Sequence, residues 1–353
     1  MSVFYFLIFI LLIQAAIFGH SNRSNRFLCI LAFIELTIVA GLKVPFGGDS
    51  YYYRDTFVEI SKMSLYGIFD TELEKGFVLF NYLVSLISDN PQSIILFSQI
   101  LINGLVCLFI YKKSKMPWLS IILYVTFMFY FNSMNLMRFA IACTLLLFSC
   151  DHIINRNILK FLAILLLAAS FHFSVLIFGI MYYVYPISLK WRMLAMVAVP
   201  FMILQSYFFS AFELLILVNE RYVSYSQAGE FYQSAIANIL EFAKILVIFF
   251  FSAFCYNWKI KTIEGGDKLY LWMIYIATIF AYMSINVMML VRFVVIFSLV
   301  TIVFIPNVIF GKPKQFKVIS ITTLLTISIL QVVVILTYRS EWFFEGPYVN
   351  ILF

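Results

Sequence analysis

Residues 91–115 run PQSIILFSQILINGLVCLFIYKKSK: 21 positions without a charge, then three lysines in the next four. About 20 predominantly apolar residues carry a helix across the hydrocarbon core of a bilayer, and lysines mark where the chain returns to water. Working outward, comparable apolar runs fall at about 2–19, 27–44, 117–132, 134–151, 158–172, 173–187, 192–209, 235–256, 269–290, 292–310 and 317–337. With 91–111 they make about twelve candidate spans. None alternates apolar with polar residues as a barrel strand does, so helices are expected throughout.

The composition agrees. Of 353 residues, 64% are apolar and 12% charged, the reverse of a soluble domain, and this excludes a disordered chain or a water-soluble catalytic domain of any size. The expected fold is an all-α polytopic membrane protein forming a single integral membrane domain over residues 1–353. The first run lacks a cationic leader and a small-residue cleavage site, so it is expected to be a retained span. Residues 158–187 would make about 45 Å of helix, too long for one crossing and short for two. Two short or re-entrant helices meeting near Phe171-His172-Phe173-Ser174 resolve the mismatch.

Charge gives the expected sidedness. The connections holding Arg23, Arg26, Lys112, Lys113, Lys115, Arg156, Lys160, Lys190, Arg192, Lys259, Lys261, Lys268, Lys312, Lys314 and Lys317 carry 15 of the 24 Lys and Arg residues, and that face is expected to be cytoplasmic. The net charge of +7 therefore reflects topology rather than nucleic-acid binding. Both chain ends then lie outside. Two longer segments, 45–90 and 210–234, face outward. The first contains an apolar stretch at 77–87, too short to span, expected as an interfacial helix. The five cysteines lack metal-ligand or disulfide spacing.

No nucleotide, zinc or nucleophile-elbow motif occurs. Polar residues set in apolar surroundings are the candidates, because a charge at mid-membrane costs at least about 2.5–3.5 kcal/mol. Arg138 lies just inside the outer end of one run and Arg292 in the matching place of another, with Arg54 and Arg221 on the same side. A guanidinium fork suits phosphate or carboxylate. His172, at the expected helix break, suits a general base or a phosphate ligand. In Gly47-Gly48-Asp49-Ser50-Tyr51-Tyr52-Tyr53-Arg54-Asp55, a carboxylate beside tyrosines suits sugar hydroxyls and C–H faces, although Tyr51 and Tyr52 also fit an interfacial belt. Glu35, mid-span, is either a proton-relay carboxylate or the partner of an arginine. Glu241 and Lys244 are spaced to neutralise each other.

Taken in order, Asp49 with Tyr53 and Phe57, Glu74-Lys75-Gly76-Phe77 with Leu79 and Asn81, Asn135 through Arg138-Phe139-Ala140-Ile141-Ala142, Phe171-His172-Phe173-Ser174, and Arg292-Phe293 with Phe297 and Pro306 resemble the Wzy/EpsG-type polysaccharide polymerases. Lys75 stands where proline is expected, Phe139 where glutamine is common and Phe297 where tyrosine is common. The resemblance implies an inner-membrane glycosyltransferase of O-antigen, capsule or exopolysaccharide synthesis. It would move a growing undecaprenyl-pyrophosphate-linked glycan onto an incoming lipid-linked repeat unit at the periplasmic face. It implies His172, Asp49 and Arg138 as catalytic residues, and Arg292, Tyr53, Arg221, Glu74 and Arg54 as substrate-binding ones. Implied partners are the lipid-linked donor and acceptor, membrane lipid and a chain-length regulator; no cofactor, metal or nucleic acid is implied. A flippase or carrier for the same lipid-linked sugar, or the related O-antigen ligase, are the competing classes. With this topology, a fluorescent reporter that folds only in the cytoplasm should be bright when fused after Lys115 or Lys261 and dark after Asp70; the opposite pattern would invert the orientation.

Overall fold

The computed structural model describes residues 2–19, 22–43, 48–203, 207 and 235–338, and among them every regular element is helical. Two compact units are formed, one from 1–149, 159–176 and 302–353 and the other from 150–158 and 177–301.

In the first unit, α1 (Ser2–Phe18) and α2 (Asn22–Gly41) are followed by α3 (Gly48–Ser61) and α4 (Lys75–Ser85), then by α5 (Gln92–Lys113). Helix α5 is the 91–111 run, and it packs along α2. Its start follows from local chemistry: Pro91 precedes it, and the Asn90 side chain accepts from the Gln92 amide at 2.9 Å. Gln92 is buried and its side-chain amide donates to the carbonyls of Gly41 (3.0 Å) and Lys43 (2.9 Å), closing the end of α2 onto the start of α5.

The next run, 117–132, is broken. Helix α6 (Pro117–Thr126) and α7 (Phe129–Asn135) meet at a 53° bend, where Met128 takes the left-handed conformation with φ 70°. That is costly for a side chain other than glycine and held here by surroundings that bury Phe127, Met128 and Phe129 alike. A polar ladder fixes the bend from inside: Gln99 of α5 donates to the Ser133 carbonyl (3.0 Å), Tyr124 hydroxyl to Asn103 (3.3 Å), and Tyr130 hydroxyl to the Leu36 carbonyl (2.8 Å). The ladder sets where α7 ends and so where α8 (Met137–Leu147) begins. Helix α10 (Ile158–Ala169) follows the short α9 (Cys150–Ile154), and the chain does break where expected: α10 stops at Ala169 and a tight helical turn, Phe173–Gly179, follows before α11 (Ile180–Val184).

In the second unit, α12 (Trp191–Ile203), α13 (Ala235–Cys255) and α15 (Val291–Ser298) pack on α14 (Gly265–Ser284). Asn238 donates to the Ser284 carbonyl (2.7 Å), Tyr275 to that of Leu194 (2.5 Å) and Trp272 to that of Ile187 (3.1 Å). Phe297, where tyrosine is common in the resembling family, is stacked against Phe280 and Phe178 at 5.9 and 5.7 Å and fully buried. Helix α16 (Thr301–Phe310) and α17 (Lys314–Tyr338) complete the described chain.

Among the described residues, four helices are long and apolar enough to cross a membrane: 24–41, 92–113, 236–255 and 314–338; counting each of two bent pairs as one span makes six. Of the other expected spans, 269–290 falls in the 20-residue α14 and the rest are shorter helices, among them α8, α10 and α12, so the count of about twelve is not reached by length and composition alone. The strongest sign of lipid is α17. It holds 25 residues, yet Ile319, Ile327 and Leu330 are about three-fifths exposed or more. An apolar surface of that length demands an apolar solvent, and the chain is a multi-pass membrane protein. Of the 45–90 segment, the structure gives two helices, α3 and α4, where one was expected; the 210–234 segment lies outside the described residues. Removing the Gln92 amide strands two carbonyls at the α2–α5 junction, so Gln92→Leu should cost about 1–3 kcal/mol and lower the thermal unfolding midpoint of the detergent-solubilised protein; an unchanged midpoint would show that water or lipid replaces the bonds.

Candidate functional site

The motifs in the first half of the chain converge within the first unit. Helix α3 turns Ser50, Tyr53, Phe57 and Ile60 inward at helical spacing, and α4 does the same with Phe77, Val78, Asn81 and Val84. The Tyr53 and Phe77 rings meet edge to face at 5.6 Å. This seam holds α3 against α4 and leaves Glu74, at the N-terminal cap of α4, facing α8.

Arg138 is the second residue of α8. A cation there gains nothing from the helix dipole, whose N-terminal end is positive, and it must be compensated from elsewhere. Glu74 does this: its Oε2 lies 2.6 Å from Arg138 Nη1, with the two side chains 25% and 21% exposed. The pair is therefore sheltered yet reachable. Three rings surround the guanidinium, with Cζ 5.6 Å from the centre of Phe77 and 5.9 Å from those of Tyr52 and Tyr53. The Nε of Arg138 is buried without a hydrogen-bond partner among the described residues. Burial, reinforced by the nearby Asp49 charge and opposed by Arg138, pushes the Tyr53 phenol up to about 12. Tyr53 thus remains protonated, and a donor, across the physiological range.

The joint between α10 and α4 brings in the remaining motif. The Ser170 carbonyl, just past the end of α10, accepts from the amides of Gly76 (2.8 Å) and Phe77 (3.3 Å). The negative end of one helix thus meets the positive end of the other. The approach leaves no room for a side chain at position 76: a Cβ there would sit 2.8 Å from the Ser170 carbonyl and closer still to its hydroxyl. Beyond Ser170, Phe171 packs on Phe80 at 6.2 Å, and the His172 ring meets Phe139 edge to face at 5.2 Å. Ser174 Oγ and His172 Nδ1 are 2.8 Å apart. So Arg138 faces Glu74, its neighbour Phe139 orients His172, and the helix break supplies the carbonyl that seats α4.

Of the other expected site residues, Asp49 is exposed one turn before Tyr53 on α3, and Arg54 is half-buried with its Nε unpartnered among the described residues. Arg292, half-buried in α15, belongs to the second unit and forms no ion pair among the described residues. Arg221 lies outside the described residues. Glu35 is not the partner of an arginine among the described residues: its hydrogen-bond partner is the Gln14 side chain. Glu241 and Lys244 pair at 2.5 Å as their spacing implied. Among the described residues no group of three or more His, Cys, Asp or Glu is placed to hold a metal ion.

One contributor was not read from the sequence: Ser170 carries no signal beyond being a small residue at a helix break. Tyr52, readable from the sequence either as a sugar-facing or as an interfacial-belt tyrosine, lies against Arg138. The arrangement suits one kind of ligand. A charged fork walled by aromatic faces is chemically suited to an anionic group attached to something with C–H faces of its own. A family model described as EpsG family matches residues 25–350. No curated protein matches the chain, and no solved structure does. Gly76→Ala should unseat α4 at a cost of about 1–3 kcal/mol, measured as a lowered thermal midpoint, and adding Ser170→Gly, which removes the hydroxyl and Cβ but not the carbonyl, should restore part of it; no loss in the single variant would refute the close packing.

Proposed function

The chain belongs to the EpsG family, and from that premise we propose that it is a polysaccharide polymerase acting on lipid-linked sugars. The donor is a growing glycan on undecaprenyl pyrophosphate; its reducing-end sugar is transferred to a hydroxyl of an incoming lipid-linked repeat unit. The reaction takes place at the periplasmic face of the bacterial inner membrane. Within this proposal the bent and short helices pair into about twelve crossings, and the 45–90 segment covers the site from outside.

One observation carries the reading: the partly exposed Arg138 fork, its Nε without an acceptor and its faces lined by Tyr52, Tyr53 and Phe77. As the anomeric C–O bond breaks, charge collects on the departing pyrophosphate. A guanidinium already held in place stabilises that charge without reorganising, and removing one such donor typically costs about 10²–10³ in rate. The phenol of Tyr53, kept protonated, is a second donor beside it. The aromatic faces suit the sugar's C–H faces. Asp49 and Arg54 on α3 are placed to meet sugar hydroxyls and phosphate. The acceptor hydroxyl loses a proton during transfer, and His172, Asp49 and Glu74 are candidates to take it. Arg292 and Arg221 complete the expected basic set.

A carrier needs mobile charge near the midplane, whereas the intramembrane carboxylates Glu35 and Glu241 already have partners in Gln14 and Lys244. The test is glycan length on a gel, in a host lacking the gene and complemented with wild type, Arg138→Ala or Arg138→Lys. Wild type should restore the ladder. The alanine variant should leave single repeat units at normal protein level, and lysine, which keeps charge but loses the fork, should recover only short chains. Complete absence of surface glycan in the deletion would indicate flipping or ligation instead.

A further inference from the structure

Glu74 occupies the place that the proposed reaction needs for its anion. Its carboxylate takes Arg138 Nη1 at 2.6 Å, while the same guanidinium keeps a buried Nε with no acceptor among the described residues. A pyrophosphate arriving at that fork competes for the same donors and carries more negative charge than a single carboxylate. One guanidinium has donors for both, but a pyrophosphate seated beside the carboxylate repels it and weakens its hold on Arg138. Glu74 sits at the N-terminal cap of α4 without a side-chain bond to the helix, so nothing in its own element holds the carboxylate once Arg138 is taken. Its backbone is fixed, because Gly76 and Phe77 are anchored to Ser170. Displacement therefore swings the side chain but leaves the carboxylate in the site.

We propose that Glu74 is the base of the transfer, held by its pairing with Arg138 and released by the lipid pyrophosphate that binds there. This rests on the polymerase reading. The released carboxylate accepts the proton of the acceptor hydroxyl as the acceptor oxygen bonds to the anomeric carbon. The bond from that carbon to the phosphate oxygen breaks, and its electron pair leaves with the pyrophosphate. The proton passes from Glu74 to water before Arg138 recaptures the carboxylate. The exchange orders the events: no base is free until the donor is seated, so an acceptor arriving first is not deprotonated. His172, held between Phe139 and Ser174, is on this account a positioning residue at the helix break.

The measurement separates binding from transfer. Wild type, Glu74→Gln, Glu74→Asp and Arg138→Ala are purified into nanodiscs; binding of undecaprenyl pyrophosphate is titrated, and single-turnover transfer is followed with a lipid-linked repeat unit. Glu74→Gln should bind the probe as tightly as wild type or more tightly, since its competitor is gone, while transfer falls about 100-fold or more. Glu74→Asp, which keeps the carboxylate, should retain measurable transfer. Arg138→Ala should lose the probe. Transfer by Glu74→Gln within about threefold of wild type would overturn the assignment. So would loss of probe binding in Glu74→Gln, or equal inactivity of Gln and Asp variants at normal binding, which would make the residue a fixed structural partner. Failure of wild type to bind the probe at all would instead sink the polymerase reading itself.

Discussion

A single carbonyl organises the first unit's polar end. The oxygen of Ser170 receives two amides from the first turn of α4, and this is possible only because position 76 has no side chain to keep the helices apart. Everything else in the candidate site is placed by that junction. It sets the pitch at which α4 presents Glu74 and Phe77, and it draws Phe171 and His172 toward Phe80 and Phe139. Segments far apart in the chain become neighbours through one carbonyl that accepts twice.

Electrostatics then follows from the environment. In an apolar medium a charge is stabilised by a partner, and three of the charged side chains on the described helices have one: Glu35 in Gln14, Glu241 in Lys244 and Arg138 in Glu74. Buried amides and hydroxyls are consumed in the same way by the Gln99, Tyr124 and Tyr130 ladder. Against this background, two of the buried donors lacking an acceptor are guanidinium Nε groups, on Arg54 and Arg138. An anionic ligand is the kind of group that would satisfy such donors, as the proposed reaction requires.

Much of this was legible in the chain, and the parts that were not share a cause. Hydropathy reports whether a residue tolerates lipid, so the helical class and the long spans such as 92–113 and 314–338 were readable. The length of the 158–187 run, between one crossing and two, located the break near His172. Hydropathy does not report where a helix ends within an apolar stretch. The left-handed turn at Met128, made by a residue with no preference for it, divides a run that looks continuous. The Arg138 and Glu74 motifs were recognised separately, by resemblance; their 2.6 Å contact was not, because nothing local links two residues so far apart in the chain. The roles of Ser170 and Tyr52 depend on the same long-range packing.

The placement of Lys75 bears on one departure from the family pattern. Proline is expected at that position in the resembling family, and the two residues look incompatible: one is long, charged and flexible, the other rigid and without an amide hydrogen. Yet position 75 is the first residue of α4, where a helix makes no use of the amide and where a fixed backbone angle is welcome. The bonds that seat the helix begin one residue later, at Gly76. The backbone path into the site is thus the same for either residue. What this chain gains instead is a tether, since the Lys75 ammonium reaches back to the Thr71 carbonyl and stiffens the approach that proline would have stiffened by its ring. Two unlike side chains here are alternative solutions to one entropic problem.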